Sequence, residues 1–95
     1  MKTENHMSTK QGHLQLGKHL QAFIDNQINV EELIKRTSEL RVTYTRDGGD
    51  DDELINHLFS VIELQDNLQL YPLEAGRRLQ DAYDYCHLKT LSSKY

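Results

Sequence analysis

Apolar residues recur every three or four positions along most of the 95-residue chain, and this spacing constrains its fold more than any other feature. Residues so spaced lie on one face of an α-helix, whereas a half-buried strand would need alternation at every second position. The sequence holds four such amphipathic segments joined by short connections and no alternating strand pattern. We therefore predict an all-α protein, an antiparallel four-helix bundle.

Length and composition predict one small domain. A chain of 95 residues has room for a single core. We expect residues 1–9 to form a flexible N-terminal segment and residues 10–95 to form one helical bundle domain. Cys86 is the only cysteine, which excludes an internal disulfide and a cysteine-based zinc cluster and fits a reducing compartment. No apolar run approaches the roughly 18 residues that span a bilayer, so the prediction is a cytoplasmic protein without membrane contact.

Local signals predict where the helices begin and end. The first helix should cover roughly residues 10–25. Asn29 is a suitable N-cap for the second, with Glu32 at the position that completes a capping box. The glycine pair at 48–49 should end that helix or lie in the following loop. The third helix should begin after the acids at 50–52 and run to Tyr71, because Pro72 disfavours helical geometry in the residue before it and so opens the fourth helix.

Each predicted helix has a face that we expect to point into the core. The predicted inward residues are, in chain order, His13, Leu16, Leu20, Phe23 and Ile24; Leu33, Ile34, Thr37, Leu40 and Tyr44; Leu54, Leu58, Val61, Ile62, Gln65 and Leu68; Ala75, Gly76, Leu79, Ala82, Tyr83 and Cys86.

Charge is distributed unevenly along the chain. The stretch from Asp47 to Gly76 holds eight acidic residues and no Lys or Arg, whereas the rest holds eleven basic and seven acidic residues. Some of this acid is structural, because carboxylates in the first turn of the third helix cap its N-terminus and interact favourably with its dipole. The absence of even one compensating Lys suggests, in addition, a basic partner.

Other chemistry that acidic and histidine residues can support does not fit this sequence. Counted as a calcium loop from Asp47, the acidic run places Leu58 where a bidentate Glu is needed. Clustered acids in an exposed turn usually stay ionised, which argues against a catalytic carboxylate pair. The five histidines form no i, i+4 pair. With no phosphate-binding loop or basic aromatic stripe either, we predict a non-enzymatic protein with no cofactor, metal or direct nucleic-acid contact.

The outward face of the third helix is the candidate contact surface. Phe59 borders this face, where an aromatic side chain either completes the core, which its position favours, or anchors a partner. On the fourth helix, Tyr85 and Leu88 are expected to project outward together with Asp81 and Asp84. The predicted acidic and amide stripe of the third helix consists of Asp52, Asn56, Ser60, Glu63, Asp66 and Asn67.

The segment LGKHLQAFIDNQINVEELIKRTSELR, residues 16–41, resembles the small helical immunity proteins of colicin D and of related contact-dependent inhibition toxins. The likeness lies in a short first helix that ends in an F-I-D-N-Q-I connection before a charged second helix. It implies an antiparallel four-helix bundle that binds a tRNA-cleaving toxin and blocks the toxin's basic cleft with acidic side chains in place of RNA phosphates.

Charge and resemblance together predict an immunity protein that inhibits a basic nuclease toxin, by a mechanism in which carboxylates compete for the Lys and Arg that bind phosphate. The alternative is a helical regulatory or adaptor module whose acid serves capping and solubility only. The residues predicted to bind the partner are Asp50, Asp51, Asp52, Glu53, Asn56, Phe59, Glu63, Asp66 and Tyr85.

Overall fold

The computed structural model describes residues 8–70 and 72–92, and over this part of the chain all regular structure is helical. The all-α prediction is therefore confirmed, with five helices in place of the four predicted. Residues 1–7 of the predicted flexible segment lie outside the described residues. The helices are α1 (Thr9–Ile24), α2 (Val30–Arg46), α3 (Asp52–Ile62), α4 (Leu64–Leu70) and α5 (Pro72–Ser92).

Side-chain caps set the start of the first three helices. The hydroxyl of Ser8 accepts from the Gln11 amide at 3.1 Å, and the Gln11 side chain accepts from the Ser8 amide at 3.1 Å, which makes a capping box one turn long. The side chain of Asn29 accepts from the Glu32 amide at 2.8 Å, as predicted, while the Glu32 carboxylate pairs with Arg36 at 2.8 Å. Asp51 caps α3 by accepting from the Leu54 amide at 3.0 Å.

The core lies between the predicted apolar faces. Most predicted inward residues are buried, but Gly76 and Gln65 are exposed, Ile24 is about half exposed, and Leu64 is buried although it was not predicted. The side chain of Leu68 lies outside the described part of the structure. The buried residues of this core are Leu16, Leu20, Leu33, Leu40, Tyr44, Leu54, Leu58, Val61, Leu64, Ala75, Ala82 and Cys86.

A break at Glu63 divides the predicted third helix into two. Helix α3 ends at Ile62, and Glu63 closes it as the C-cap with φ −83° and ψ 4°. The chain then begins α4, which contacts both α5 and α2. Leu64 enters the core where the helical pattern had placed Gln65. The break thus buries an apolar side chain and leaves the side-chain amide of Gln65 in solvent.

The turn between α2 and α3 is fixed against the core by Tyr44. Gly48 has φ 90°, a conformation that L side chains rarely adopt, and the backbone of Gly49 lies against the Tyr44 ring so closely that a Cβ would overlap it. The Tyr44 hydroxyl accepts from the Asp51 amide at 3.1 Å and shares a 2.8 Å hydrogen bond with Thr9. The start of the acidic segment is thereby held between α1 and α2.

Cys86 is buried on the inward face of α5, as predicted, and burial raises the pKa of its thiol to about 12. Since the thiolate is the reactive form, we expect a disulfide reagent to modify the native protein slowly and the urea-unfolded protein rapidly. The rate at which the reagent releases its own thiol, measured with native and with unfolded protein, tests this expectation. Equal rates in both would contradict the placement of Cys86.

Candidate interaction surface

Helix α3 turns one face of mixed acidic, amide and aromatic character towards solvent. Asp52, Asn56, Phe59 and Glu63 follow one another at spacings of four, three and four residues, which places them on the same side of the helix, and all four are exposed. The rise from Asp52 to Glu63 is about 16 Å. This exposed face of α3, formed by these four residues, is the candidate interaction surface.

Phe59 lies near the middle of this face. Its side chain is 42% exposed, and the Arg41 guanidinium of α2 lies over the ring at 5.2 Å from the centroid. The interpretation that Phe59 completes the core is therefore wrong. A guanidinium at this distance makes a cation–π contact, which holds the ring in place without covering it fully. No local sequence signal links Arg41 to Phe59, because the two residues are separated by a turn and belong to different helices.

The acids at the start of α3 have two different roles. Asp51, predicted as a partner-binding charge, turns inward: besides capping α3, its carboxylate has a long 3.5 Å contact with the Tyr85 hydroxyl, which donates. Asp50, Asp52 and Glu53 are exposed. The structure thus brings three outward carboxylates together around one internal carboxylate that fixes the turn.

Tyr85 does not project from the surface as predicted. It is half-buried, its hydroxyl lies 2.8 Å from Nε2 of His13 on α1, and its ring stacks on His57 of α3 with centroids 4.3 Å apart. Burial, followed by the nearby charges of Asp51 and Glu53, raises the pKa of Tyr85 well above its usual value. Tyr85, a residue of α5, therefore connects this helix to α1 and α3.

The acidic residues that follow Glu53 lie on two different elements, the end of α3 and the start of α4. Glu63 is exposed at the end of α3, and Asp66 is exposed in the first turn of α4, so the continuous stripe predicted from Asp52 to Asn67 is interrupted. The side chain of Asn67 lies outside the described part of the structure, and Ser60 is half-buried.

The remaining acids of the block lie close to arginines. Asp47 is 3.8 Å from Arg46, and Glu74 pairs with Arg78 at 3.4 Å. Six carboxylates of the block are exposed, and one of them, Glu74, is paired with Arg78. The other five are Asp50, Asp52, Glu53, Glu63 and Asp66.

Three buried or half-buried histidines make stability depend on pH. Burial lowers the pKa of His13, His19 and His57 in the folded protein below the ordinary histidine pKa of 6.5. At a pH between these two pKa values, the unfolded chain binds more protons than the folded one. The neutral histidines therefore cost the folded state nothing above about pH 7. The free energy of unfolding decreases as the pH falls below 6.5. We expect a lower urea midpoint at pH 5.5 than at pH 7.5. An equal or higher midpoint at pH 5.5 would contradict this assignment.

Among residues 8–70 and 72–92, no three His, Cys, Asp or Glu side chains are grouped so that they could hold a metal ion. Over the same residues, no helix has the length and apolar character needed to cross a bilayer. Searches among protein families, curated proteins and solved structures found no match to this chain.

Proposed function

We propose that this protein is an immunity protein: it binds a cognate basic nuclease toxin, a tRNase, and covers the toxin's active-site cleft with the exposed face of α3 and its flanking acids. It acts in the cytoplasm as an inhibitor, without a cofactor and without catalysis of its own. In this proposal α3 and α4 share one position of an antiparallel four-helix bundle.

The observation that carries the proposal is the group formed by Asp50, Asp52, Glu53, Glu63 and Asp66. These exposed carboxylates lie in a stretch with no Lys or Arg from Asp47 to Gly76. A helix surface of this kind normally intersperses both signs of charge. Here three carboxylates lie at the start of α3 and two near its end, with Phe59 between them. Neutralisation by a partner removes the repulsion that such a surface otherwise retains.

The chemistry of a ribonuclease cleft matches this surface. The cleft must present Lys and Arg to bind phosphate, and carboxylates form charge-assisted hydrogen bonds with the same groups. Binding of the inhibitor then excludes RNA by competition. Opposite charges also steer the two proteins together, so association should be fast at low salt and slower at high salt.

The resemblance of residues 16–41 to colicin D-type immunity proteins supports the helical architecture and the class of partner in this proposal. The contact residues are assigned from charge. That segment runs through α1, the connection and α2, whereas the acids lie on α3, α4 and the turn before α3.

The alternative is a helical adaptor that binds another protein through α5. Leu73 and Leu88 favour it, since they are 90% and 63% exposed and belong to a different helix from the acids of α3. In that case the acid at 50–53 serves to cap α3 and to keep the protein soluble.

Capture from the source cell separates the two functions. Tagged protein is incubated with lysate at low salt, and bound proteins are identified by mass spectrometry and tested for RNA cleavage. We expect a basic nuclease that is inactive in the complex and regains tRNA cleavage after release by high salt. Recovery of a partner without nuclease activity would favour the adaptor function instead.

A further inference from the structure

Tyr85 on α5 is packed between two histidines that belong to two other helices. Its hydroxyl lies 2.8 Å from Nε2 of His13 on α1, and its ring meets the His13 ring edge-on with centroids 5.1 Å apart. On its other contact, the Tyr85 ring stacks on His57 of α3 at 4.3 Å. These three residues form the Tyr85 cluster, through which α5 contacts both α1 and α3.

The hydrogen bonds of the Tyr85 cluster suit a neutral His13. The Tyr85 hydroxyl donates its one proton towards the Asp51 carboxylate at 3.5 Å, so Nε2 of His13 donates to the Tyr85 oxygen. That proton is the single proton of a neutral imidazole, and a second one goes to Nδ1 and charges the ring. Because His13 is 7% exposed, the charged ring loses much of its hydration while α5 is in place.

The charged groups around the cluster offset this burial only in part. Burial has the largest effect on the pKa of His13 and His57 and lowers both, although nearby carboxylates act in the opposite direction. Lys89 adds a positive charge 5.7 Å from the centroid of the Tyr85 ring. From α2, the Tyr44 hydroxyl binds the Asp51 amide. The groups that act on His13 are Asp51, Lys89, Glu53 and His57, and those that act on His57 are Glu53 and Asp81.

We infer that the Tyr85 cluster is an acid-operated latch: protonation of His13 and His57 releases Tyr85, and α5 from Tyr85 onward separates from α1 and α3 while α1 and α2 stay packed together. Separation returns both imidazoles to water, so protons bind the open form more tightly and shift the population towards it. Such openings of one segment occur below the free energy of global unfolding. The latch is a property of the fold and does not depend on the proposed function.

Cys86 reports this opening because it follows Tyr85 and is buried where α5 meets α1. A Cβ added to Gly17 of α1 would lie 3.5 Å from the Cβ of Cys86. Dithiodipyridine reacts with thiols in acid as well as at neutral pH, so at low concentration it labels Cys86 when α5 separates. The labelling rate of the folded protein, divided by that of the urea-unfolded protein at the same pH, gives the open fraction.

We expect the open fraction to rise between pH 7.5 and pH 5.5. Linkage limits the rise to about 10-fold for each histidine that is neutral in the closed form and has its ordinary pKa in the open form, hence to about 100-fold for both. Low concentrations of urea should change the open fraction little, because a local opening exposes little surface.

Three variants assign the response to the cluster. His13→Gln and His57→Gln each remove one titrating ring, and the amide in place of His13 can still donate to Tyr85. His19→Gln is the matched control: burial also lowers the pKa of His19, but this residue faces Arg36 and Glu39 of α2. We expect the first two variants each to lose about half of the rise on a logarithmic scale, and His19→Gln to retain it.

Hydrogen exchange of the unchanged protein, followed by mass spectrometry, tests the latch without any substitution. After correction for intrinsic rates, amides of residues 85–90 should lose more protection on acidification than those of residues 33–40 in α2. Equal loss in both segments, an open fraction that is the same at both pH values, or an equal effect of His19→Gln and His13→Gln would each overturn the latch. Acid would then act through global unfolding or not at all.

Discussion

Replacement of Tyr44 by alanine is expected to destabilise the protein by about 3–5 kcal/mol, the usual cost of removing a fully buried aromatic ring. The ring is inaccessible to solvent and supports Gly49, and its hydroxyl is bonded to both Thr9 and Asp51. Since small proteins have a net stability of about 5–15 kcal/mol, this loss is a large fraction of the total. Urea unfolding followed by circular dichroism at 222 nm measures it.

Tyr44→Phe is the matched control for Tyr44→Ala. It keeps the ring and removes only the hydroxyl, which leaves the Asp51 amide without its acceptor and should cost about 1–3 kcal/mol. A Tyr44→Ala variant within 1 kcal/mol of the unchanged protein would show that the contacts of Tyr44 do not hold the turn.

Reversal of charge at Glu63 and Asp66 is expected to weaken binding to the proposed nuclease partner. Glu63→Lys and Asp66→Lys together are expected to leave the protein folded, because both residues are exposed and surface changes usually cost within about 0.5 kcal/mol. A lost charge-assisted pair at an interface costs about 2–5 kcal/mol, and repulsion adds to it. Affinity for the nuclease should fall by about 30-fold to several thousand-fold.

The control for this reversal is Glu39→Lys with Asp84→Lys, which changes net charge by the same amount. Glu39 lies on the side of α2 that borders α1, and Asp84 is exposed on α5 and bonded to Gln80. Stopped-flow association at several salt concentrations compares the two pairs. The control should retain the salt dependence of the unchanged protein, and the Glu63/Asp66 pair should lose much of it. Equal affinity and salt dependence in both pairs would remove the basis for the proposed contact surface.

The helix starts could be predicted from sequence because their determinants are local. Asn29 and Asp51 each cap an amide three residues ahead, so the signal and its partner lie in one short window. The helix break at Glu63 has no such signal: neither Gly nor Pro occurs between Val61 and Leu70. Whether Leu64 or Gln65 enters the core depends on α2 and α5, which pack against α4.

The residue types of the candidate site could be predicted from the sequence, but their arrangement in space only in part. The exposed acids on α3 follow from the helical period. The inward turn of Asp51 does not, because its partner Tyr85 lies 34 residues further along the chain, and Tyr85 in turn meets His13 across 72 residues. Phe59 was ambiguous for the same reason, since its environment is decided by Arg41 on a neighbouring helix.

The break at Glu63 also makes the position of Asp66 independent of the acids on α3. A helix as short as α4 has little stability of its own in water, so its orientation depends on the burial of Leu64 and on its contacts with α2 and α5. Substitutions in those contacts would tilt Asp66 relative to Glu53 and leave α3 and its cap intact. The spacing between the two acidic groups can therefore change through the contacts of α4 alone, while α3 and the turn before it keep their structure.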